Sequence, residues 1–521
     1  MSRRKPAILL AAREGQLVAV RGPRFLRHRS SRAEHNRTNS RYTPTPMRNL
    51  AVNVVFALLA LISAAGAPAA GVSDWPQFRG PGGAGIADDS ALPEQWSPTQ
   101  NIAWSTEIPG RGWSSPIVWR DRVFVTTAVS PGAFKAPSTG IYGNDYAAEL
   151  QKQGLPDQEI MKRVVGRDIE LTSETGEIKY MVLALDAKTG KVVWSVEAHR
   201  GLPAGGRHRK NTYASETPAT DGERIYASFG GNVGLFCYTM DGKLLWKRSW
   251  PPQKIYLDFG TASSPIVHHD RVYVLHDNDG ESFFTALDAK TGDEIWNVKR
   301  TDLASRLASG WSTPLVWQNS LRTELVTIGR GFVISYDLDG KELWRLKGMT
   351  QATPSPVAAD GLLYVGSGSQ GEANRPLMAV RPGALGDISL APDKTSNAFV
   401  VWFQPRFSGY TPSPLVYGGR IYAVNDNGVL QVADSKTGTE IYKARVGGGG
   451  QTFSSSPLAS RGRIYFLSED GDLFVLRAGD RYVEIAKNSF GEMSFASPAA
   501  DADSLYVRTQ TKLYRIHAKK P

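Results

Sequence analysis

The 521-residue sequence predicts an all-β fold, an eight-bladed β-propeller of four-stranded antiparallel blades, on three observations. A hairpin is spelled twice almost letter for letter, ALDAKTGKVVW over Ala184–Trp194 and ALDAKTGDEIW over Ala286–Trp296. A small residue followed by proline and an apolar strand recurs eight times, at Pro116, Pro218, Pro265, Pro314, Pro356, Pro414, Pro457 and Pro498. Finally, Asn101–Ile108 (NIAWSTEI) reads as a strand with no hairpin partner of its own, while the last repeat is one strand short. A four-stranded unit repeated with most spacings between 41 and 58 residues is the signature of radial rather than modular architecture.

Each hairpin copy decomposes physically. Val182–Asp186 alternates as a strand, Ala187–Gly190 is a tight turn whose glycine can take positive φ, and Lys191–Glu197 returns. Four residues after the turn glycine comes a large aromatic: Gly190–Trp194, Gly242–Trp246, Gly292–Trp296, Gly340–Trp344 and Gly438–Tyr442. A ring at one fixed place in every hairpin predicts packing of each copy on its neighbour. The proline marker supplies the other two strands, as in SSPIVWRDRVFV (Ser114–Val125) and SSPLASRGRIYFL (Ser455–Leu467), with the innermost strand of each blade expected to begin just before the proline. The last unit offers strands near Leu505–Val507 and Lys512–Ile516. Trp104 stands twelve residues before Pro116, as Trp344 and Trp402 stand before Pro356 and Pro414. The strand around Trp104 is therefore expected to complete blade eight and remove an open sheet edge.

Three insertions break the period. Val129–Tyr180 carries a helix around Asp145–Val164 broken near Gly154-Leu155-Pro156; a basic loop, HRGLPAGGRHRKN, lies between Glu197 and Thr212; Pro382–Asn397 extends blade five. Loops joining second to third strands and loops joining blades share one rim of a propeller, so the first two insertions are expected on the same face, where long loops tend to carry function.

The net charge of +11 invites a nucleic-acid reading, but its distribution removes it. Met1–Arg48 hold eleven arginines and Lys5 against Glu14 and Glu34, a net of +10, which leaves the remainder at +1. A neutral body lacks the footprint for binding phosphate backbones. Residues 1–46 read as a basic disordered or spurious leader. From Met47 a basic Arg48, an apolar run Leu50–Ile62 and Ala67-Pro68-Ala69 form the pattern of a Sec-type secretory signal peptide over residues 47–70, too short to span a membrane. Residues 71–521 are then one propeller domain, expected to be periplasmic or secreted, without a transmembrane span after cleavage, and monomeric.

Sites of chemistry are sparse. Cys237, the single cysteine, sits within VGLFCYT and reads as a small core residue. His199, His208, His268, His269, His276 and His517 form no zinc spacing. Asp277–Gly280 (DNDG) starts like a calcium loop but runs into a strand, so a tight turn accounts for it better. No GxSxG or GxxxxGK[ST] motif is present, and Gly447–Gly450 reads as a flexible link. No catalytic, metal or cofactor residue is predicted. The residues ahead of each proline should border the central channel at one rim: Trp113, Lys210, Tyr213, Glu216, Asp258, Trp311, Gln351, Tyr410 and Phe453. That mixture of aromatic and polar groups suits a small ligand or a peptide.

The ALDAKTGKxxW hairpin with its SSPxV and RxYV strands resembles the pyrroloquinoline-quinone (PQQ-like) propeller repeat. That repeat is shared by quinoprotein alcohol dehydrogenases and by the BamB-type outer-membrane assembly factor, and the resemblance covers Trp75–His517. DWPQFRGPGGAGIA (Asp74–Ala87) is similar to the opening of exported bacterial quinone-type propeller proteins. The dehydrogenase branch implies a quinone held between a tryptophan and an adjacent-cysteine disulfide, with calcium or a lanthanide on carboxylates; Cys237 stands alone and no CxxCH haem site exists. The assembly-factor branch implies a periplasmic scaffold anchored by an N-terminal lipid, for which no cysteine follows the cleavage site. The reading is an exported, non-catalytic scaffold or binding protein of the bacterial cell envelope, engaging a protein, peptide or carbohydrate partner on the insertion-bearing rim. Its alternative is a divergent PQQ-dependent dehydrogenase of alcohols or sugars, with PQQ and calcium as cofactors.

Overall fold

The computed structural model describes residues 74–97, 99–131, 149–160, 162–163, 176–230, 233–300, 307–369 and 374–517. The stretches expected to form a leader and a signal peptide, residues 1–46 and 47–70, lie outside the described residues. The rest forms eight antiparallel sheets in chain order. Blade one comprises Ile117–Trp119, Arg122–Val129, Ile178–Asp186 and Val192–Gly201, and the following blades repeat that meander. Blade eight comprises Ala499–Ala500, Ser504–Arg508 and Lys512–His517, closed by Ile102–Glu107 from the other end of the domain. This closing strand runs antiparallel to Lys512–His517, with Ile102 opposite Ile516 and Glu107 opposite Lys512.

One detail of the strands departs from expectation. The innermost strand begins on the residue after the proline, at Ile117, Ala219, Ile266, Leu315, Val357, Leu415, Leu458 and Ala499, rather than just before it. Proline has no N–H to give a ladder, so it can precede a strand but not be paired within one.

The core lies between blades. Tyr226, Leu235 and Cys237 of blade two pack against Val272, Val274 and Leu287 of blade three, all buried, each such aliphatic contributing about 1.5–3 kcal/mol. Cys237 is a buried core residue, as read from the sequence. The periodic aromatic has the role the spacing implies. Trp104, Trp194, Trp246, Trp296 and Trp402 each lie against the turn glycine of the following blade, Gly190, Gly242, Gly292, Gly340 and Gly438, where an added Cβ would come within 2.5–2.8 Å of the indole. Each indole N–H donates to a carbonyl of the same turn, of Ala187, Met240, Ala289, Leu338 and Ser435, at 2.8–3.1 Å. These glycines also hold φ between 71° and 84°, so each satisfies a left-handed turn and a close approach at once.

Trp344 is the exception. Its N–H donates to Glu324 Oε2 at 2.6 Å, and its fully buried ring joins Ala384, Ile388 and Val400. The corresponding turn of blade five is replaced by the insertion at 382–397, whose Gly386–Asp387 pairs in parallel with Trp344 and Arg345 and makes blade four five-stranded. In the first insertion, residues 149–152 and 157–160 are helical on either side of a turn at Gln153 and Gly154; residues 132–148 and 164–175 lie outside the described residues. No helix among the described residues is long and apolar enough to cross a membrane.

Candidate functional site

The residue before each proline is always Ser or Thr, and together these eight close a circle around the channel. Ser115 N–H donates to Thr217 Oγ1 of the next blade (3.0 Å), Thr217 to Ser264 (2.9 Å), Ser264 to Thr313 (3.1 Å) and Thr313 to Ser355 (3.0 Å). Ser355 continues to Ser413 (2.9 Å), Ser413 to Ser456 (3.0 Å), Ser456 to Ser497 (2.8 Å), and Ser497 returns to Ser115 (3.1 Å). These N–H groups lie ahead of the strands and have no ladder partner, so the neighbouring hydroxyl satisfies them.

Below the ring, residues 74–90 cross the channel as a plug. Trp75 exchanges hydrogen bonds with Val118 of blade one, Thr220 N–H of blade two donates to Pro76, Arg79 donates to the Pro414 carbonyl of blade six, and Gly85 and Ala87 pair with Ala459 of blade seven. The chain then leaves beneath blade seven, where Asp88 accepts from Tyr417 and Arg461, and reaches the closing strand of blade eight. The stretch that opens DWPQFRGPGG is thus the stopper of the channel.

Above the ring is a cup of about 200 Å³, lined by all eight ring residues. Phe78 of the plug also lines it, and Trp113, Phe259, Trp311, Tyr410 and Phe495 form its aromatic wall. Trp113 meets Phe495 edge-on at 4.8 Å, and Trp311 is fixed by its N–H on the Gly260 carbonyl at 2.7 Å. The mouth is crossed by the basic loop: Lys210 Nζ bonds Glu469 of blade seven at 2.8 and 3.0 Å. Glu469 is buried and also accepts from Thr452 and Ser454. His208, also lining the cup, accepts the Lys210 backbone N–H on Nδ1 at 3.1 Å. Burial, with Lys210 and Arg209 nearby, pushes its pKa down to about 3, so it is neutral at physiological pH.

The cup therefore gathers Trp113, Lys210, Trp311, Tyr410 and Gln351 from the sequence-predicted set. It does not gather the other four. Tyr213 packs among core residues of blades one and two, its hydroxyl on the Gly205 carbonyl at 3.0 Å. Asp258 is exposed in the rim turn Tyr256–Asp258, Phe453 is buried between blades six and seven, and Glu216 faces a second, smaller cavity with Thr261, His276 and Asp277. Sequence reading passed over Phe78, His208, Phe259, Phe495 and the hydroxyl ring, although the Ser/Thr identity ahead of each proline was there to be read. His268 ends the strand Ile266–His268 and His269 opens the hairpin turn that follows it. Asp277–Gly280 is a turn, Gly280 N–H donating to Asn278 Oδ1 at 2.8 Å.

Glu216 is 1 % exposed and accepts from the Thr261 hydroxyl. Burial pushes its pKa up to about 7, its hydrogen bonds opposing. The folded state then holds this proton more tightly than the unfolded chain, so stability falls as pH rises from the ordinary carboxyl range through 7 and stays low above it. Glu216→Gln is expected to leave the midpoint nearly unchanged at pH 4 and to stabilise the fold at pH 8 by on the order of 3 kcal/mol, read by urea unfolding at both pH values.

A calcium-held quinone does not match these donors. Calcium takes about six to eight oxygens, carboxylates prominent among them. Among the described residues no Asp or Glu lines the cup; Glu469, beside it, is held by Lys210, Thr452 and Ser454, Glu216 faces away, and no three His, Cys, Asp or Glu side chains gather for a metal among the described residues.

The family model described as outer membrane protein assembly factor BamB matches residues 178–380 and 329–520, together more than half of the chain. The chain belongs to this family. Among solved structures, a BamB from Moraxella catarrhalis is 16% identical, with 59% of this chain and 80% of that one covered and a TM-score of 0.39. Quinohemoprotein alcohol dehydrogenases are also similar in fold. That of Comamonas testosteroni is 12% identical (86% and 81% covered, TM-score 0.52), and ADHIIG of Pseudomonas putida HK5 is 11% identical (86% and 81% covered, TM-score 0.50). No curated protein sequence matches this BamB-family chain.

Proposed function

We propose that this chain is an exported, monomeric, non-catalytic propeller of the bacterial cell envelope that captures a protein or peptide partner at the mouth of the cup. The observation that carries this reading is the blind cup itself: aromatic faces on the wall, hydroxyls around the base, and a stopper beneath. Such a site grips side chains by burial and orients them by a few polar groups. The family's description as an outer membrane protein assembly factor supports a protein partner and an envelope location, and the sequence pattern from Met47 supports export. Lys210 and Glu469, tied across the mouth, position the basic loop rather than act as acid and base.

The test is affinity capture and cross-linking mass spectrometry from envelope extracts, comparing the wild type with the Trp311→Ala/Tyr410→Ala variant. A partner captured by the wild type is expected to fall at least tenfold in the variant while its melting stays cooperative; an equal yield from both overturns the placement. Titration with pyrroloquinoline quinone and calcium, followed by absorbance, separates the dehydrogenase alternative: a saturable spectral change with dye reduction by alcohols or sugars would replace this reading.

A further inference from the structure

The floor of the cup has donors to spare. Each ring hydroxyl accepts one backbone N–H from its neighbour, and among the described residues none of the eight hydroxyl protons has an acceptor. All eight residues are at most 7% exposed and all eight line the cup, so their protons are left for whatever enters it. Accepting an N–H also polarises a hydroxyl and strengthens it as a donor. Among the described residues no Asp or Glu lines the cup, and Lys210 is the charged group that does. Around these donors stand the rings of Phe78, Trp113, Phe259, Trp311, Tyr410 and Phe495. The plug closes the far end, so the cup admits a chain end or a single side chain, and no segment can thread through it.

These features select among the groups a polypeptide can offer. The rings alone would suit a cation, but an ammonium or guanidinium would be buried without a counter-charge and would set donors against donors. An amide or a hydroxyl brings donors along with its acceptors. A carboxylate only accepts, and its hydrogen bonds are roughly twice as strong as those between neutral groups. The rings in turn need an apolar side chain to cover them. An apolar residue at the C-terminus of a chain carries both groups together. We infer that the cup recognises the C-terminal residue of its partner, with the carboxylate on the ring hydroxyls and an aromatic or large aliphatic side chain against Trp113, Trp311 and Phe495. This rests on the reading of the cup as the partner's site and names the part of the partner that enters it.

The experiment uses the full chain with four probes, N-acetylphenylalanine, its amide, N-acetylglycine and the α-amide of N-acetylglutamate, followed by calorimetry and tryptophan fluorescence. N-acetylphenylalanine is expected to bind one per chain, to change the fluorescence saturably, and to bind about tenfold or more tightly than its amide, which sets an NH₂ against the floor. N-acetylglycine, which keeps the carboxylate but has nothing to cover the rings, is expected to be weaker by a similar factor. Ser413→Ala/Ser456→Ala is expected to lose most of the preference for the acid over the amide while keeping the preference over N-acetylglycine. Should that variant fail to fold, the comparison of acid with amide on the wild type decides alone. An amide as tight as the acid, no saturable binding of the acid, or an undiminished preference in the folded variant overturns the inference. Equal binding of the glutamate derivative overturns the assignment to a chain end, since an acidic side chain would then serve. In each of these cases, partner capture that still falls in Trp311→Ala/Tyr410→Ala leaves the cup standing as the partner's site, so the two readings fail separately.

Discussion

A chain from which residues 101–108 have been cut is expected to lose its cooperative melting transition and to elute as a polydisperse aggregate. The excised strand supplies the fourth position of blade eight, in register with Lys512–His517. It also supplies Trp104, which is 9 % exposed, lies against Gly190 of blade one and donates to Ala187. Losing a tryptophan of that burial costs about 3–5 kcal/mol, before the strand's hydrogen bonds are considered. The cut also bares Lys512–His517 as an unpaired edge, a template for pairing with a second copy. Scanning calorimetry and light scattering read both effects. A truncated chain that melts at the wild-type temperature and stays monodisperse would show that the ring does not need its seam.

The second large effect is expected from Asp277→Ala. Asp277 holds Arg300 by two hydrogen bonds, 2.7 Å from Nε and 3.1 Å from Nη2, with both side chains at most 1% exposed. The remaining guanidinium nitrogen bonds Thr327 at 2.7 Å and Tyr336 at 2.8 Å. Burial opposes the charge on Arg300, but Asp277 and Tyr336 outweigh it and hold its proton affinity above the usual arginine value. Removing the carboxylate strands a buried cation, at a cost of about 3–5 kcal/mol. Replacing both partners, Asp277→Leu with Arg300→Met, should recover more than half of that loss, because the desolvation goes with the charges. A double-mutant cycle by urea unfolding measures both; additive losses would contradict the pairing. The Asp277 carbonyl accepts from Gly310 at 3.2 Å and Asp279 accepts from Ser309 at 2.7 Å. Loosening this loop therefore also loosens Trp311, the neighbouring wall of the cup.

Those two results bracket what could be read from the residues alone. The seam was legible because Trp104 keeps the twelve-residue distance to its proline, and interblade packing was legible because glycine and aromatic keep their interval of four. Trp344 keeps the interval too, yet its ring turns inward, because the surface it would meet was replaced by the insertion at 382–397. The plug has no strand period to betray it; its hydrogen bonds go one at a time to several different blades. The Asp277–Arg300 pair spans most of a blade in sequence, and nothing in DNDG marks which aspartate faces the interior. Of the candidate rim residues, those whose backbone meets the channel mouth reached the cup. Glu216 and Phe453, on adjacent positions of the same segments, turned away between blades. Successive side chains of an extended segment point to opposite sides, so Ser215, Thr217 and Ser454 reach the cup and the residues next to them, Glu216 and Phe453, do not.

The circle of Ser and Thr hydroxyls fixes how many repeats the protein can have. Every repeat accepts a hydrogen bond from the one before and donates one to the one after, always in the same rotational sense, so no repeat is terminal at the axis even though the polypeptide has two ends. Loss or duplication of a single repeat in the gene would alter the perimeter and break the loop of bonds at a joint that no local substitution could mend. Change in such a molecule is steered away from repeat number and toward what can be hung on the rims.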